Sequence, residues 1–239
     1  MNRIKTVWPF RLFPALIATL WVCACQTTTE PLATGYDYQP LEKGNYWIYD
    51  VTEQQFSLNG SSTTKTYQLR ETITGTVADP ATGDPTGGIL YRIERYRRLN
   101  DSQDWVPDSV SSFRIANSQL IKNENNRSFV KLVFPVVDRF EWNGNAFNSA
   151  GEDLYQVKNT GIPYRVLNQT FPETATIFQQ NDSTLVSQDK RLEVYARQVG
   201  LIYKEKVQLQ FCSSTPACVG KAQIDYGIRQ YIRLRSYGK

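Results

Sequence analysis

The chain has 239 residues, 41% of them hydrophobic and 13% aromatic, enough for a real core and too apolar for wholesale disorder. It contains no histidine, which removes the commonest general base and the commonest metal ligand together. Of its 27 lysines and arginines, Arg3, Lys5 and Arg11 precede Cys25 and no acid does, leaving 24 against 23 acids, so the body lacks the basic footprint of a nucleic-acid binder.

The first residues, "MNRIKTVWPFRLFPALIATLWVCAC", join that basic head to an uncharged and mostly apolar run, Leu12 to Val22. As a helix this run reaches only ~16 Å, about half of a hydrocarbon core ~30 Å thick. Residues 1–24 therefore read as a signal peptide rather than a spanning anchor. The end of the run, Val22-Cys23-Ala24-Cys25, resembles a bacterial lipoprotein lipobox, with an aliphatic residue first and small residues before the cysteine. The resemblance implies that Cys25 is the lipidated first residue of the mature protein and that Cys23 leaves with the signal. An ordinary secreted protein cut nearby is the alternative. A diacylglyceryl cysteine with a further acyl chain such as palmitate anchors stably, at ~0.8 kcal/mol per buried methylene. Gln26 departs from the Asp that marks inner-membrane retention in that class. The resemblance thus implies the outer membrane, with the periplasmic face favoured because no acidic pair follows Cys25.

Residues 26–40, "QTTTEPLATGYDYQP", are polar, with two prolines and a glycine, and read with Cys25 as a lipidated tether. The body, residues 41–239, carries period-2 runs rich in aromatic and β-branched residues between turn signals. Tyr46 to Phe56 sets Trp47, Tyr49 and Val51 on one face, and Thr64 to Val77 sets Tyr67, Leu69, Ile73 and Val77 on one face. "DPATGDPTGG", residues 79–88, reads as a wide turn. Strands are predicted next at Ile89 to Arg97 and Ser109 to Ala116, then in "SQLIKN" and "SFVKLVFPV" with a hairpin turn at "ENNR". Asn143 and Gly144 form a turn pair. Later strands are Leu154 to Lys158, Thr174 to Gln180, Arg191 to Arg197, Leu201 to Phe211 and Lys221 to Leu234.

About ten strands with short connections imply an all-β fold, a single antiparallel meander curled into a barrel or half-barrel, with a β-sandwich as the alternative. Outside the cytosol, Cys212 and Cys218 in "FCSSTPACVG" are expected to form a disulfide closing a short loop, with free thiols as the alternative. Two cysteines without histidine fall short of the four ligands of a structural zinc site, so no metal and no cofactor is expected.

"YQPLEKGNYWIYDV", "LVFPVV…WNGNAFN", "LEVYARQVGLIYKE" and the terminal "YGK" together resemble lipoproteins of Bacteroidetes of uncharacterised function, many of which open a β domain with P-L-x-x-G-N-x-W-x-Y. Here the pattern is Pro40, Leu41, Gly44, Asn45, Trp47 and Tyr49. The resemblance implies the compartment and a β-rich fold, and carries no activity.

No G-x-S-x-G pattern and no phosphate loop marks a catalytic site. The neighbours Glu152 and Asp153 point to opposite strand faces, and Glu94, Glu141, Asp189 and Glu193 meet only if the fold brings them together. The basic run "YRIERYRRL", residues 91–99, reads as a solvated strand or a headgroup or partner surface. No catalytic residue is assigned and an enzyme is not expected. The aromatics Trp47, Tyr49, Tyr67, Tyr91, Phe113, Phe129, Phe134 and Trp142 either pack a core or line an apolar pocket in the curled sheet. The expected role is a non-enzymatic one in the cell envelope. The membrane would be engaged through the N-terminal lipid, with an apolar small molecule or an envelope protein as partner. A structural subunit of an envelope complex and a glycan-binding module are the alternatives.

Overall fold

The computed structural model describes residues 2, 34–58, 60–78 and 88–239. The signal peptide, Cys25 and most of the tether lie outside the described residues, as does nearly all of the wide turn at 79–88. The folded unit, Ala33–Lys239, is one sheet of twelve strands. In chain order these are β1 (Tyr46–Phe56), β2 (Ser62–Ala78), β3 (Ile89–Arg98), β4 (Val106–Ala116), β5 (Gln119–Glu124) and β6 (Arg127–Val133). They continue with β7 (Glu141–Asn143), β8 (Leu154–Val166), β9 (Gln169–Ser183), β10 (Ser187–Ala196), β11 (Gly200–Phe211) and β12 (Ile224–Gly238).

The ladder runs β6-β5-β4-β3-β2-β1-β12-β11-β10-β9-β8-β7. Every pairing is antiparallel and links chain neighbours, except that β1 also pairs with β12. The meander is therefore nearly closed into a barrel, as expected. The β4–β5 and β5–β6 hairpins turn on Asn117-Ser118 and Asn125-Asn126, all four with φ between 50° and 59°. That is the mirror-image two-residue turn whose twist matches the strands. Bulges or register shifts in eight ladders, among them Ile48/Tyr49, Ile73/Gly75 and Val194/Tyr195, supply the curl.

The free edges, β6 and β7, meet in an irregular seam. Val130 N–H donates to Gly144 O at 2.9 Å, Trp142 Nε1 to Val130 O at 2.9 Å, and Asn148 Nδ2 to Ser128 O at 2.9 Å. Gly144 is required here, since a Cβ would lie 2.4 Å from the Tyr155 ring.

The core inside the barrel includes Trp47, Tyr49, Ile73, Ile93, Leu120, Tyr155, Ile177 and Val194, all buried. Two expectations change. The bulge after Ile73 reverses the alternation of β2, so Val77, read on the buried face, is 56% exposed. The end of the tether belongs to the folded body, because a 3-10 turn, Tyr36–Tyr38, packs on the barrel with Tyr38 buried. Asp37 holds it through an ion pair to Arg197 at 2.7 Å and through its carbonyl, which accepts from Gln198 N–H at 2.7 Å.

Candidate functional site

Inside the barrel, beside the apolar core, the inward positions of β2, β3, β5, β6, β10 and β11 carry charge. Glu71 Oε1 accepts from Arg95 Nη2 at 2.6 Å and from Lys122 Nζ at 3.2 Å. Glu124 lies 3.4 Å from Lys122 and 3.6 Å from Arg95. Glu193 Oε1 accepts from Lys131 Nζ at 2.6 Å and sits 3.4 Å from Lys204, while its other oxygen accepts from Tyr195 OH at 2.8 Å. Together with Tyr49, Phe113 and Ile232, these side chains enclose a cavity of about 40 Å³. That is room for a few waters and far below the ~300 Å³ at which small-molecule pockets begin. This ionic space is too small for an acyl chain.

Opposite charge governs the titration of this cluster. Burial pushes the Glu193 carboxyl up, but Lys131 and Lys204 more than reverse that and hold it at about 2. Glu71 is likewise held at about 2, by Lys122 and Arg95 against burial. Glu124 is driven below the usual carboxylate range, by Lys122 first. Lys131 moves the other way. Burial and the neighbouring Lys204 lower it although Glu193 touches it, because two lysines share that one carboxylate. Burial also lifts the Tyr49 and Tyr195 hydroxyls well above their ordinary value, so both stay neutral.

A second concavity lies at the barrel end reached by residues 35–40. Tyr36, Pro40, Tyr46, Trp47 and Tyr237 line a groove of about 620 Å³. An adjoining groove of about 480 Å³, lined by Phe171, Arg197 and Gln198, shares Tyr237 with it. The P-L-x-x-G-N-x-W-x-Y residues build this end. Asn45 Nδ2 donates to Pro40 O at 3.1 Å, Trp47 Nε1 to Val199 O at 2.5 Å and Tyr49 OH to Leu201 O at 3.2 Å. Gly200, at φ +104°, lets that β10–β11 turn approach: a Cβ there would lie 3.1 Å from both Trp47 Nε1 and Gln39 Oε1. Two of the resembling stretches, with the terminal Tyr237 and Lys239, thus meet at one place.

The eight aromatics read as pocket-lining do not converge on one cavity. Tyr49 and Phe113 face the small ionic space, and Trp47 reaches the groove. Tyr67 is half-buried under Arg97, with its hydroxyl on Glu53 at 3.4 Å. Tyr91 packs half-buried against the core, and Phe129 is half-buried. Phe134 is buried with its ring 4.4 Å from that of Tyr36, and Trp142 is buried edge-on to Tyr155 at the seam. Cys212 and Cys218 are disulfide-bonded, with Cα atoms 5.7 Å apart, in the loop joining β11 to β12. The acids Glu94, Glu141, Asp189 and Glu193 do not meet. Glu94 binds Tyr96 OH, Glu141 binds Gln156, Asp189 binds Arg191, and Glu193 alone lies inside. The basic run divides likewise: Arg92 pairs outside with Glu94, whereas Arg95 points inward to Glu71.

No family model matches the chain, and no curated protein matches it. Two solved structures are similar. One is a protein described as exported, with a YmcC-like fold, from Bacteroides fragilis NCTC 9343, 11% identical, covering 84% of this chain and 98% of its own at a TM-score of 0.42. The other is a protein described as a lipoprotein from Parabacteroides distasonis ATCC 8503, 12% identical, with the same coverage and a TM-score of 0.43.

Proposed function

We propose that this chain is a non-enzymatic, lipid-anchored protein of the bacterial outer membrane, acylated at Cys25, whose barrel serves a binding or accessory role at the periplasmic face. The observation that carries the reading is the cysteine at position 25, placed after a basic head and a run too short to span. The geometry supports it in two ways. Residues 35–40 join the barrel at the end that bears the aromatic groove, so the described start of the body and two concavities lie together. The interior carboxylates Glu71 and Glu193 are held ionised by lysine and arginine, which suits packing rather than proton transfer near neutral pH.

The partner, an apolar molecule or an envelope protein, is assigned to that groove rather than to the barrel interior. A sugar-stacking platform is the weaker reading, because the Phe171 and Tyr237 rings of the groove tilt 48° to each other. Metabolic labelling with an alkyne fatty acid tests the anchor. The wild type is expected to carry the tag in the membrane fraction and Cys25→Ala to lose it. Equal labelling of both proteins contradicts the assignment.

A further inference from the structure

We propose that the barrel end that receives the tether is a membrane-contact surface, on which the β8–β9 and β2–β3 hairpins seat apolar side chains at the headgroup–acyl boundary of the bilayer. The inference rests on the lipid anchor proposed above and adds to it the face that lies against the lipid. Both hairpins project past their neighbours. β9 begins at Gln169, five residues before Thr174, its first partner on β10. β2 runs to Ala78, six residues past Thr72, its last partner on β1. The tip of the β8–β9 hairpin is the two-residue turn Leu167-Asn168, closed by the Val166–Gln169 pair. Leu167 stands there at φ 51° and is 47% exposed. Such a turn calls for Asn, Asp or Gly, and a bulky apolar side chain at its first position is strained while also facing water. Nothing in water offsets that cost, whereas burial of the side chain in a bilayer interface does. Ile162, 51% exposed, stands on the same hairpin, and Val77 and Ile89 are exposed on the other.

The charges and rings at this end fit the same surroundings. Arg165, exposed beside the tip, donates Nε to Leu167 O at 3.4 Å, while Glu173, the acid of this projecting part, is paired with Arg197 at 3.0 Å. The Arg165 guanidinium thus faces outward, where it suits lipid phosphates. Tyr36 and Tyr237, both partly exposed here, carry the amphipathic rings that settle at membrane interfaces. Exposure alone does not choose this end, because Leu58 and Leu185 at the opposite turns are exposed at least as much. The tether does. Eight residues, 26–33, separate Cys25 from Thr34, and the nine peptide links reach at most ~32 Å. The β1–β2 turn lies at the far end of β1, an eleven-residue strand ~36 Å long. The end nearest the bilayer is therefore the one that bears Leu167.

On this reading the mature chain has no free thiol, since Cys25 is acylated and Cys212 and Cys218 are bridged. The exposed sites Leu167→Cys, Val77→Cys, Leu58→Cys and Leu185→Cys can thus each carry one environment-sensitive fluorophore. The acylated protein is reconstituted in vesicles of phosphatidylethanolamine and phosphatidylglycerol, with an alkyne fatty acid reporting the anchor in the same sample. Nitroxide-labelled acyl chains are expected to quench the dye several-fold at positions 167 and 77 and to leave it unchanged at 58 and 185. Unquenched dye at all four positions of tagged, vesicle-bound protein overturns the surface and leaves the anchor standing. Equal quenching at both ends overturns it too, as adhesion without a preferred face. Protein that carries no tag and stays off the vesicles refutes the anchor itself, and the surface with it.

Discussion

Glu193 sits 1% exposed between two lysines and a tyrosine hydroxyl, and its charge is useful to the fold only while that company is kept. Breaking such a buried pair from one side costs ~3–5 kcal/mol, because the surviving lysine is left buried without its partner. Glu193→Gln is therefore expected to lower the unfolding free energy by that order, read as a fall in the denaturant midpoint. The pH dependence follows from the sign of the shift. The folded carboxyl titrates at about 2 against an ordinary 4.5, so its stabilisation is complete above 4.5 and is lost as pH falls toward 2. Unfolding curves across that window should show a steep acid limb in the wild type and a shallower one in Glu193→Gln. A parallel limb would remove Glu193 from the ionic core. At this scale the sequence was half legible. Leu69 and Ile73 stood on the buried face as read, and Glu71 occupies the same parity between them, which is the signal that charge points inward. It was passed over because a lone charge on a strand is ordinarily solvated, and the partners that make it tolerable, Arg95 and Lys122, come from other strands.

At the scale of the element, turn chemistry determined what could be read. β1 has the bounds that alternation predicts, and the Asn125-Asn126 turn falls within the predicted "ENNR". β8 was predicted only to Lys158 because Asn159, Gly161 and Pro163 look like the end of a strand. It instead runs to Val166 through two register shifts that absorb Asn159 and Gly161 at φ 57° and 70°. β12 begins at Ile224 rather than Lys221, since Ala222, at φ 51°, is still part of the turn. Where β11 and β12 lie closest, Gly227 is indispensable: a Cβ would come 2.2 Å from Gln208 O. The Cys212–Cys218 bridge ties that hairpin's loop, beside the β9–β10 turn, where Phe211 N–H donates to Val186 O at 2.8 Å. Closing so short a loop contributes about 2.4 kcal/mol in the chain-entropy model. The double variant Cys212→Ser/Cys218→Ser should lose about that much in equilibrium unfolding and keep the steep acid limb, because the ionic cluster lies elsewhere. A changed limb would show the two regions to be coupled.

At the scale of the molecule, eleven of the contacts around the sheet are antiparallel ladders, and the twelfth, from β6 to β7 and the residues after it, is a few bonds, two of them from side chains. Sub-global opening follows the weakest boundary. Native-state hydrogen exchange should find the amide of Val130, which donates across the seam to Gly144 O, less protected than those in the middle of β1 and β12. Equal protection would mean that the wall opens only by unfolding as a whole. The barrel class was legible from short connections and alternating runs, whereas the place of its closure was not, since it depends on Trp142 and Asn148 finding carbonyls that no local pattern announces. Lys131 belongs to the strand that forms this boundary, and Lys122 and Glu124 to the strand behind it. Breathing at a single stitch would therefore act as a valve, letting water and solutes trade places with the middle of the cylinder while the rest of the wall stays shut.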